Sequence, residues 1–230
     1  MIVAVHGLPT SPALWSRLPM AIVAPALRGV ATDPPRDDWG LPGFVEEIRP
    51  HLTPETVLVG HDLGGVVAAM AAAEVPVRAL VLTGTALGPY WAAVRLSARA
   101  PLHRYFYERH GGRRFLTGAV SHGRAEEVLA AFPPVPDLPA RMRAIARAMR
   151  PPTDLAARLR GRVPIHLVWG RADRWYPPPV ARAVARGLGA EIAWVEGGHL
   201  CMWEHPATYA AAIGAIAAAE AGGGGRSARG

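Results

Sequence analysis

The sequence contains no lysine, no asparagine and no glutamine, and only one cysteine, Cys201. All 25 basic residues are therefore arginine. Together with abundant alanine, glycine and proline, this reads as GC-rich coding bias rather than selection for a function. A single cysteine excludes an intrachain disulfide and fits a reducing cytoplasm. Charged residues make up only 19%, and half the chain is hydrophobic, so a disordered chain is excluded and a sizeable core is available. A length of 230 residues suits one domain, or one domain carrying an inserted lid. No apolar run reaches the roughly 20 residues that span a bilayer. The alanine-rich stretch 207–221 is shorter and carries Glu220. The opening Met-Ile-Val-Ala-Val is too short for a signal peptide and lacks a basic flank. A soluble, cytoplasmic protein with no membrane partner is the expectation.

Long basic runs are also missing. The formal charge is +7, but the arginines are dispersed, and no run exceeds Arg113-Arg114. That argues against nucleic acid as a partner. Between residues 86 and 162 arginine outnumbers the acids, which are Glu108, Glu126, Glu127, Asp137 and Asp154. Solvated helix faces account for this; a surface for an anionic substrate or carrier is the alternative. The nine histidines lack close paired ligand spacing, and the Gly222–Gly225 run precedes no helix, so neither a metal site nor a phosphate loop is expected. The chain is expected to work without a cofactor.

Short, unalternating apolar runs are what the chain does have. They fall at residues 2–5, 21–24, 56–59, 79–82, 165–169 and 192–195, each bounded by Gly, Pro or polar residues. Such runs suit strands buried on both faces of a parallel sheet. Helical patterns at 41–52, 64–74, 178–188 and 207–219 alternate with them, which predicts an open, doubly wound α/β sheet. The alternation breaks once. Residues 87–159 show only helical stretches (91–107, 124–132 and 138–149), divided by Gly111-Gly112 and Pro133-Pro134-Val135-Pro136. The expected organisation is a core of residues 1–86 and 160–221, a helical cap of residues 87–159, and a flexible, glycine-rich tail at 222–230.

Four short motifs sit just past strand ends. Gly60-His61-Asp62-Leu63-Gly64-Gly65 follows the third run and opens a helix. Its glycines permit a sharp strand-to-helix turn with the Asp62 side chain at the apex: a nucleophile elbow with aspartate in place of serine. The following helix N-terminus favours an anion there. His6-Gly7-Leu8-Pro9 follows the first run, and its Leu8 amide, with that of Leu63, is placed to hold an oxyanion. Asp173, in Trp169-Gly-Arg-Ala-Asp173, is placed to orient a histidine, and His199 follows Gly197-Gly198. Each motif alone has an ordinary reading as a turn or loop. The order Asp62, Asp173, His199 at carboxyl ends of strands makes them one constellation.

These motifs, with Ala24-Pro-Ala-Leu-Arg-Gly29 and Glu204-His205-Pro206, resemble the α/β-hydrolase superfamily, specifically its epoxide hydrolase and haloalkane dehalogenase branch. The resemblance implies an α/β-hydrolase fold, with the insertion where that family carries a helical cap. The family's usual antiparallel hairpin ahead of the first strand is missing here, so a minimal six-stranded, mostly parallel sheet is expected. It also implies roles. Asp62 would attack an sp³ carbon to form an ester, and His199, oriented by Asp173, would activate water to hydrolyse it. The amides of Leu8 and Leu63 would stabilise the oxyanion. Haloalkane dehalogenases place a halide-binding tryptophan after the nucleophile, where this chain has Leu63, and often add an asparagine, which it lacks. Fluoroacetate dehalogenases carry arginine there. Epoxide hydrolases share the His-Gly-x-Pro turn but use two cap tyrosines, one of them late in the cap. Here Tyr90, Tyr105 and Tyr107 all fall early, and none occurs between Tyr107 and Tyr176. His6, Tyr90, Trp91, Tyr105, Tyr107 and Trp175 are the candidate substrate-pocket residues. The reading is an epoxide hydrolase-like enzyme acting on a hydrophobic small organic molecule, as a monomer or homodimer. A lyase, cyclase or ester hydrolase on the same scaffold is the alternative, followed by a dehalogenase and a non-catalytic binder.

Overall fold

A computed structural model describes residues 1–30, 35–85, 87, 99, 113–121, 123–133 and 137–223. Five strands form one parallel sheet: β1 (Ile2–Val5), β2 (Val57–His61), β3 (Ala79–Thr83), β4 (Ile165–Gly170) and β5 (Glu191–Val195). Their spatial order follows their chain order. The register pairs Val3 with Leu58, Leu58 with Leu80, Leu80 with Ile165, and Trp169 with Trp194. The helices are α1 (Leu41–Ile48), α2 (Leu63–Glu74), α3 (Arg113–Ala119), α4 (Ala125–Ala131), α5 (Leu138–Ala148), α6 (Leu155–Leu159), α7 (Pro178–Leu188), α8 (Cys201–Glu204) and α9 (Pro206–Gly223). A 3-10 turn at Pro12–Trp15 and another at Arg49–His51 complete the set among the described residues.

The unalternating runs are explained by burial on both faces. Successive side chains of a strand point to opposite sides. Val3, Val5, Leu58, Leu80, Leu82, Leu167 and Trp169 pack with α1, α2, α6 and α7 on one face. Ala4, Val57, Val59, Val81, Val168 and Val195 pack with the Pro12–Trp15 turn, α3, α4, α8 and the first turns of α9 on the other. Helix α2 is buried all round from Leu63 to Ala73, which explains why it reads as Ala, Gly and Val with no polar face. Trp169 is fully buried, and its indole N–H donates to the Tyr176 carbonyl at 2.9 Å. Trp169→Ala is expected to cost about 3–5 kcal/mol in chemical denaturation, with the midpoint shifting at unchanged slope.

The sheet has five strands, not six. The run at 21–24 contributes only an isolated parallel bridge, Val23 to Val3. Two hydrogen bonds hold it: Ala4 N–H to Val23 O at 2.9 Å, and Val23 N–H to Ile2 O at 3.0 Å. Pro25 lacks a donor to extend the ladder, and Val23 is 37% exposed at the sheet edge; among the described residues no strand continues the pairing beyond it. The bridge still fixes the topology. The chain steps outward from β1 to Val23 and then returns through α1 to β2 on the opposite side of β1. The direction of winding therefore reverses between β1 and β2, where open α/β sheets form their binding crevice.

Between β3 and β4 the described chain is helical, as α3 to α6. Most of its arginines face solvent, but Arg141 does not. It is 3% exposed, and it donates to Asp137 Oδ1 at 2.8 Å and to the Gly29 carbonyl at 2.8 Å. The solvated-face reading therefore fails at this residue, which ties α5 to the loop after the Val23 bridge. The predicted helical stretch 91–107 lies outside the described residues, apart from Arg99. At the other end α9 runs through Gly223, beyond the expected start of the tail at 222, and residues 224–230 lie outside the described residues. Among the described residues no helix is long and apolar enough to cross a membrane.

Candidate active site

Asp62 sits at the apex between β2 and α2, with φ 50° and ψ −117°. Among the described residues it is the one non-glycine with positive φ. Such a conformation costs about 1–3 kcal/mol and persists only where the surroundings impose it. Here they do. The Asp62 N–H donates to Thr83 O at 3.1 Å, and Asp62 O accepts from Gly65 N–H at 3.0 Å and from the Thr85 hydroxyl at 2.7 Å. The flanking glycines are required by close approach. A Cβ on Gly60 would lie 2.6 Å from Gly64 O, and one on Gly7 would lie 2.5 Å from Asp62 Cβ.

The carboxylate points at the turn after β1. Oδ2 accepts the Leu8 amide at 2.9 Å, and the Leu63 amide lies at the same group. Burial raises the Asp62 pKa above its ordinary value; the charge of His199 and these two amides oppose the shift, and the charge of Asp173 adds to it.

Asp173 lies three residues past β4 and is 3% exposed. Its Oδ1 accepts the amides of Trp175 and Tyr176, each at 2.9 Å, and its Oδ2 meets His199 Nδ1 at 3.0 Å. Because a carboxylate only accepts, Nδ1 carries the proton. That leaves His199 Nε2 as the basic nitrogen; it is buried and has no hydrogen-bond partner among the described residues. The loops holding the pair are stitched together by Arg171 N–H to Val195 O and Ala172 N–H to Gly197 O, both at 2.9 Å.

Burial alone would lower the His199 pKa, but the charge and hydrogen bond of Asp173, with the charge of Asp62, outweigh it and leave it raised above 6.5. The folded state thus holds this proton more tightly than the unfolded chain. The contribution to stability is full below pH 6.5 and is lost as pH rises through the raised value. Asp173→Asn removes the main raising influences while burial remains. The His199 titration, followed by the ring signals in NMR, is expected to move below 6.5.

The structure thus brings Asp62, Leu8, Leu63, Asp173 and His199 together at one end of the sheet. His6 is fully buried beside them, but backbone occupies both its ring nitrogens. Nδ1 lies 3.1 Å from Gly7 O, and Nε2 accepts the Leu27 amide at 3.1 Å. Burial lowers its pKa to about 4, against the raising effect of its backbone hydrogen bonds. His6 therefore holds the turn and keeps no nitrogen for a ligand. Trp175 is half-buried, and its ring would lie 3.3 Å from a Cβ on Gly118 in α3. Tyr90, Trp91, Tyr105 and Tyr107 lie outside the described residues. Among the described residues no group of His, Cys, Asp or Glu could hold a metal ion.

Several neighbours have contacts that the sequence did not assign to them. His61, the last residue of β2, packs its ring 4.6 Å from that of His199, and its Nε2 donates to the His199 carbonyl at 3.1 Å. Burial, with the nearby His199 charge, holds His61 neutral. Tyr176 lies 5.5 Å from His199, ring to ring. Gly84, at φ 50°, leaves no space for a side chain: a Cβ would lie 2.7 Å from the His199 ring. Glu204 is 4% exposed and binds the Gly198 amide at 2.6 Å. His61 next to the apex, Tyr176 three residues past Asp173 and Glu204 in its motif carried positional signals; Gly84 carried none.

Comparison with known proteins bears on the fold. Residues 2–212 match the model of the alpha/beta hydrolase family. No curated protein sequence matches the chain. Similar solved structures include a haloalkane dehalogenase from Bradyrhizobium elkani, at 18% identity over 96% of this chain and 91% of that one, TM-score 0.72. Another is a thermophilic esterase from Thermogutta terrifontis, at 19% identity over 95% and 89%, TM-score 0.72. A third is an alpha/beta hydrolase fold protein from Burkholderia ambifaria, at 21% identity over 92% and 88%, TM-score 0.71. At these identities the likeness is one of fold. With its five-stranded parallel sheet and the family match across nearly its whole length, the chain belongs to the alpha/beta hydrolase family.

Proposed function

We propose that this protein hydrolyses a hydrophobic small organic molecule through a covalent ester on Asp62, in the manner of an epoxide hydrolase. One observation carries the reading: the carboxylate at the elbow apex shares its end of the sheet with a histidine whose Nδ1 is held by a second carboxylate. Asp62 attacks a ring carbon, the carbon–oxygen bond breaks, and the ring oxygen takes a proton from a donor in the helical insertion. Tyr90, Tyr105 and Tyr107 are the candidate donors. His199 Nε2 then removes a proton from water, and the hydroxide adds to the ester carbonyl of Asp62. The amides of Leu8 and Leu63 stabilise the oxyanion. Collapse expels the diol oxygen, which takes the proton back from His199; Asp62 leaves this step as the acid and gives up its proton through solvent, the deprotonated donor in the insertion takes one up, and both groups are restored.

Leu63 argues against a halide-binding role for the residue after the nucleophile, so dehalogenation ranks lower although one structural neighbour is a dehalogenase. A second reading has its own support. Burial raises the Asp62 pKa, which suits an acid or base in a lyase, cyclase or ester hydrolase. Wild type and Asp62→Asn assayed on epoxides, haloalkanes and 4-nitrophenyl esters separate these readings. On epoxides kcat/KM is expected to fall by about 10³-fold or more. Retained activity in Asp62→Asn, with reversion by deamidation excluded by mass, would contradict the nucleophile. Localisation in the cytoplasm and the absence of nucleic-acid and membrane partners belong to the same proposal.

A further inference from the structure

Glu204 ends the short helix α8, five residues after His199 in the chain, and its carboxylate is nearly completely buried. Burying a carboxylate is costly unless donors satisfy it. Two backbone amides do so, and they belong to different segments. Oε2 accepts Gly198 N–H at 2.6 Å, the residue preceding His199. Oε1 accepts Ser121 N–H at 2.7 Å, from the turn between α3 and α4 in the helical insertion. These are charge-assisted bonds of the shorter, stronger kind. Two more bonds cross the same seam: Leu200 N–H to Ala119 O at 3.1 Å, and Arg124 Nη1 to Glu204 O at 3.3 Å. The surfaces are in close contact, because a Cβ on Gly198 would lie 2.7 Å from Ala119 O. His199 thus sits between two residues, 198 and 200, that are each tied to the 119–121 segment, directly or through Glu204.

We propose that Glu204 is a positioning residue that locks the helical insertion to the histidine loop, so that the placement of the insertion sets the alignment of His199 with Asp173. The functional weight of this lock rests on the reading of His199 as the general base. An apolar residue at 204 would fill the volume but leave two buried amides unpaired, and a lone anchor to Gly198 would fix the loop without reporting on the insertion. A carboxylate bridging both segments does what neither alternative can.

The test uses the intact chain without substrate, so its outcome is independent of whether Asp62 is a nucleophile. Glu204→Gln keeps the shape and one acceptor oxygen but turns an NH₂ toward the other amide. Amide hydrogen exchange at Ser121 and at Gly198–Leu200 is expected to accelerate together, by about tenfold or more. The His199 titration is expected to shift downward as its alignment with Asp173 loosens. If Gly198 exchange alone changes, or the His199 titration is unmoved, the proposal is overturned. If the variant does not fold, wild type decides: under rising sub-denaturing guanidinium, Ser121 and Leu200 amides share one opening free energy under the proposal and open separately if it is wrong.

Discussion

His199→Gln, mixed with excess styrene oxide, is expected to gain the mass of one substrate molecule per chain, and the added mass is expected on the peptide that carries Asp62. Alkylation needs only the ionised carboxylate and a donor for the ring oxygen. Hydrolysis of the ester needs the base. Glutamine lacks a basic nitrogen, yet its amide can still donate to Asp173 Oδ2, which His199 Nδ1 meets at 3.0 Å in the wild type, so the buried carboxylate keeps a partner. Removing a general base costs about 10²–10⁴-fold, enough to make the ester accumulate. The rate of capture should fall as pH drops through the Asp62 pKa, which burial holds above the ordinary 3.8. Intact-protein mass spectrometry reads the result. Multiple turnovers by the variant, with no adduct, would assign the hydrolytic step to another group.

The second large effect concerns the fold of the site itself. Gly64→Ala is expected to destabilise the protein by about 3 kcal/mol or more, or to prevent folding. A Cβ there would lie 2.4 Å from the carbonyl oxygens of both Val5 and His6. Those atoms are the end of β1, so relief requires the start of α2 to leave the sheet and carry Asp62 away from the Leu8 amide. Gly187→Ala is the matched control. It lies on the exposed face of α7, where an added Cβ would meet nothing within 4 Å, and is expected to stabilise by about 0.5–1 kcal/mol. Equal responses of the two variants in urea denaturation would show that the elbow glycine is not sterically required.

Much of the core was legible because its signals are local. Strands buried on both faces must be apolar at every position, so β2 to β5 appear as runs within a residue or two of their true limits. The run at 21–24 has the same composition, but Pro25 and its place at the sheet edge reduce it to the single Val23 bridge. The Asp62, Asp173, His199 order was legible for a related reason: each residue lies within a few residues past the carboxyl end of a strand, and chain order encodes where those strands end. Contacts between distant segments were not legible. Glu204 stands in the Glu204-His205-Pro206 motif, but nothing local shows that its carboxylate is buried or that its partner is Ser121, 83 residues away. Arg141 has the same pattern as its solvated neighbours, and its bond to the Gly29 carbonyl, 112 residues away, distinguishes it. His6 reads as a ligand-facing group because its partner, the Leu27 amide, comes from a loop whose path depends on the Val23 bridge.

A single turnover in ¹⁸O-water, with enzyme in excess over an epoxide, tests the central claim most directly. If Asp62 is the nucleophile, the oxygen delivered to the first product comes from its carboxylate, and the heavy isotope is found in the Asp62 peptide instead. Heavy oxygen entering the product in that first turnover, with Asp62 unlabelled, would contradict the covalent route and leave the aspartate as an acid or base.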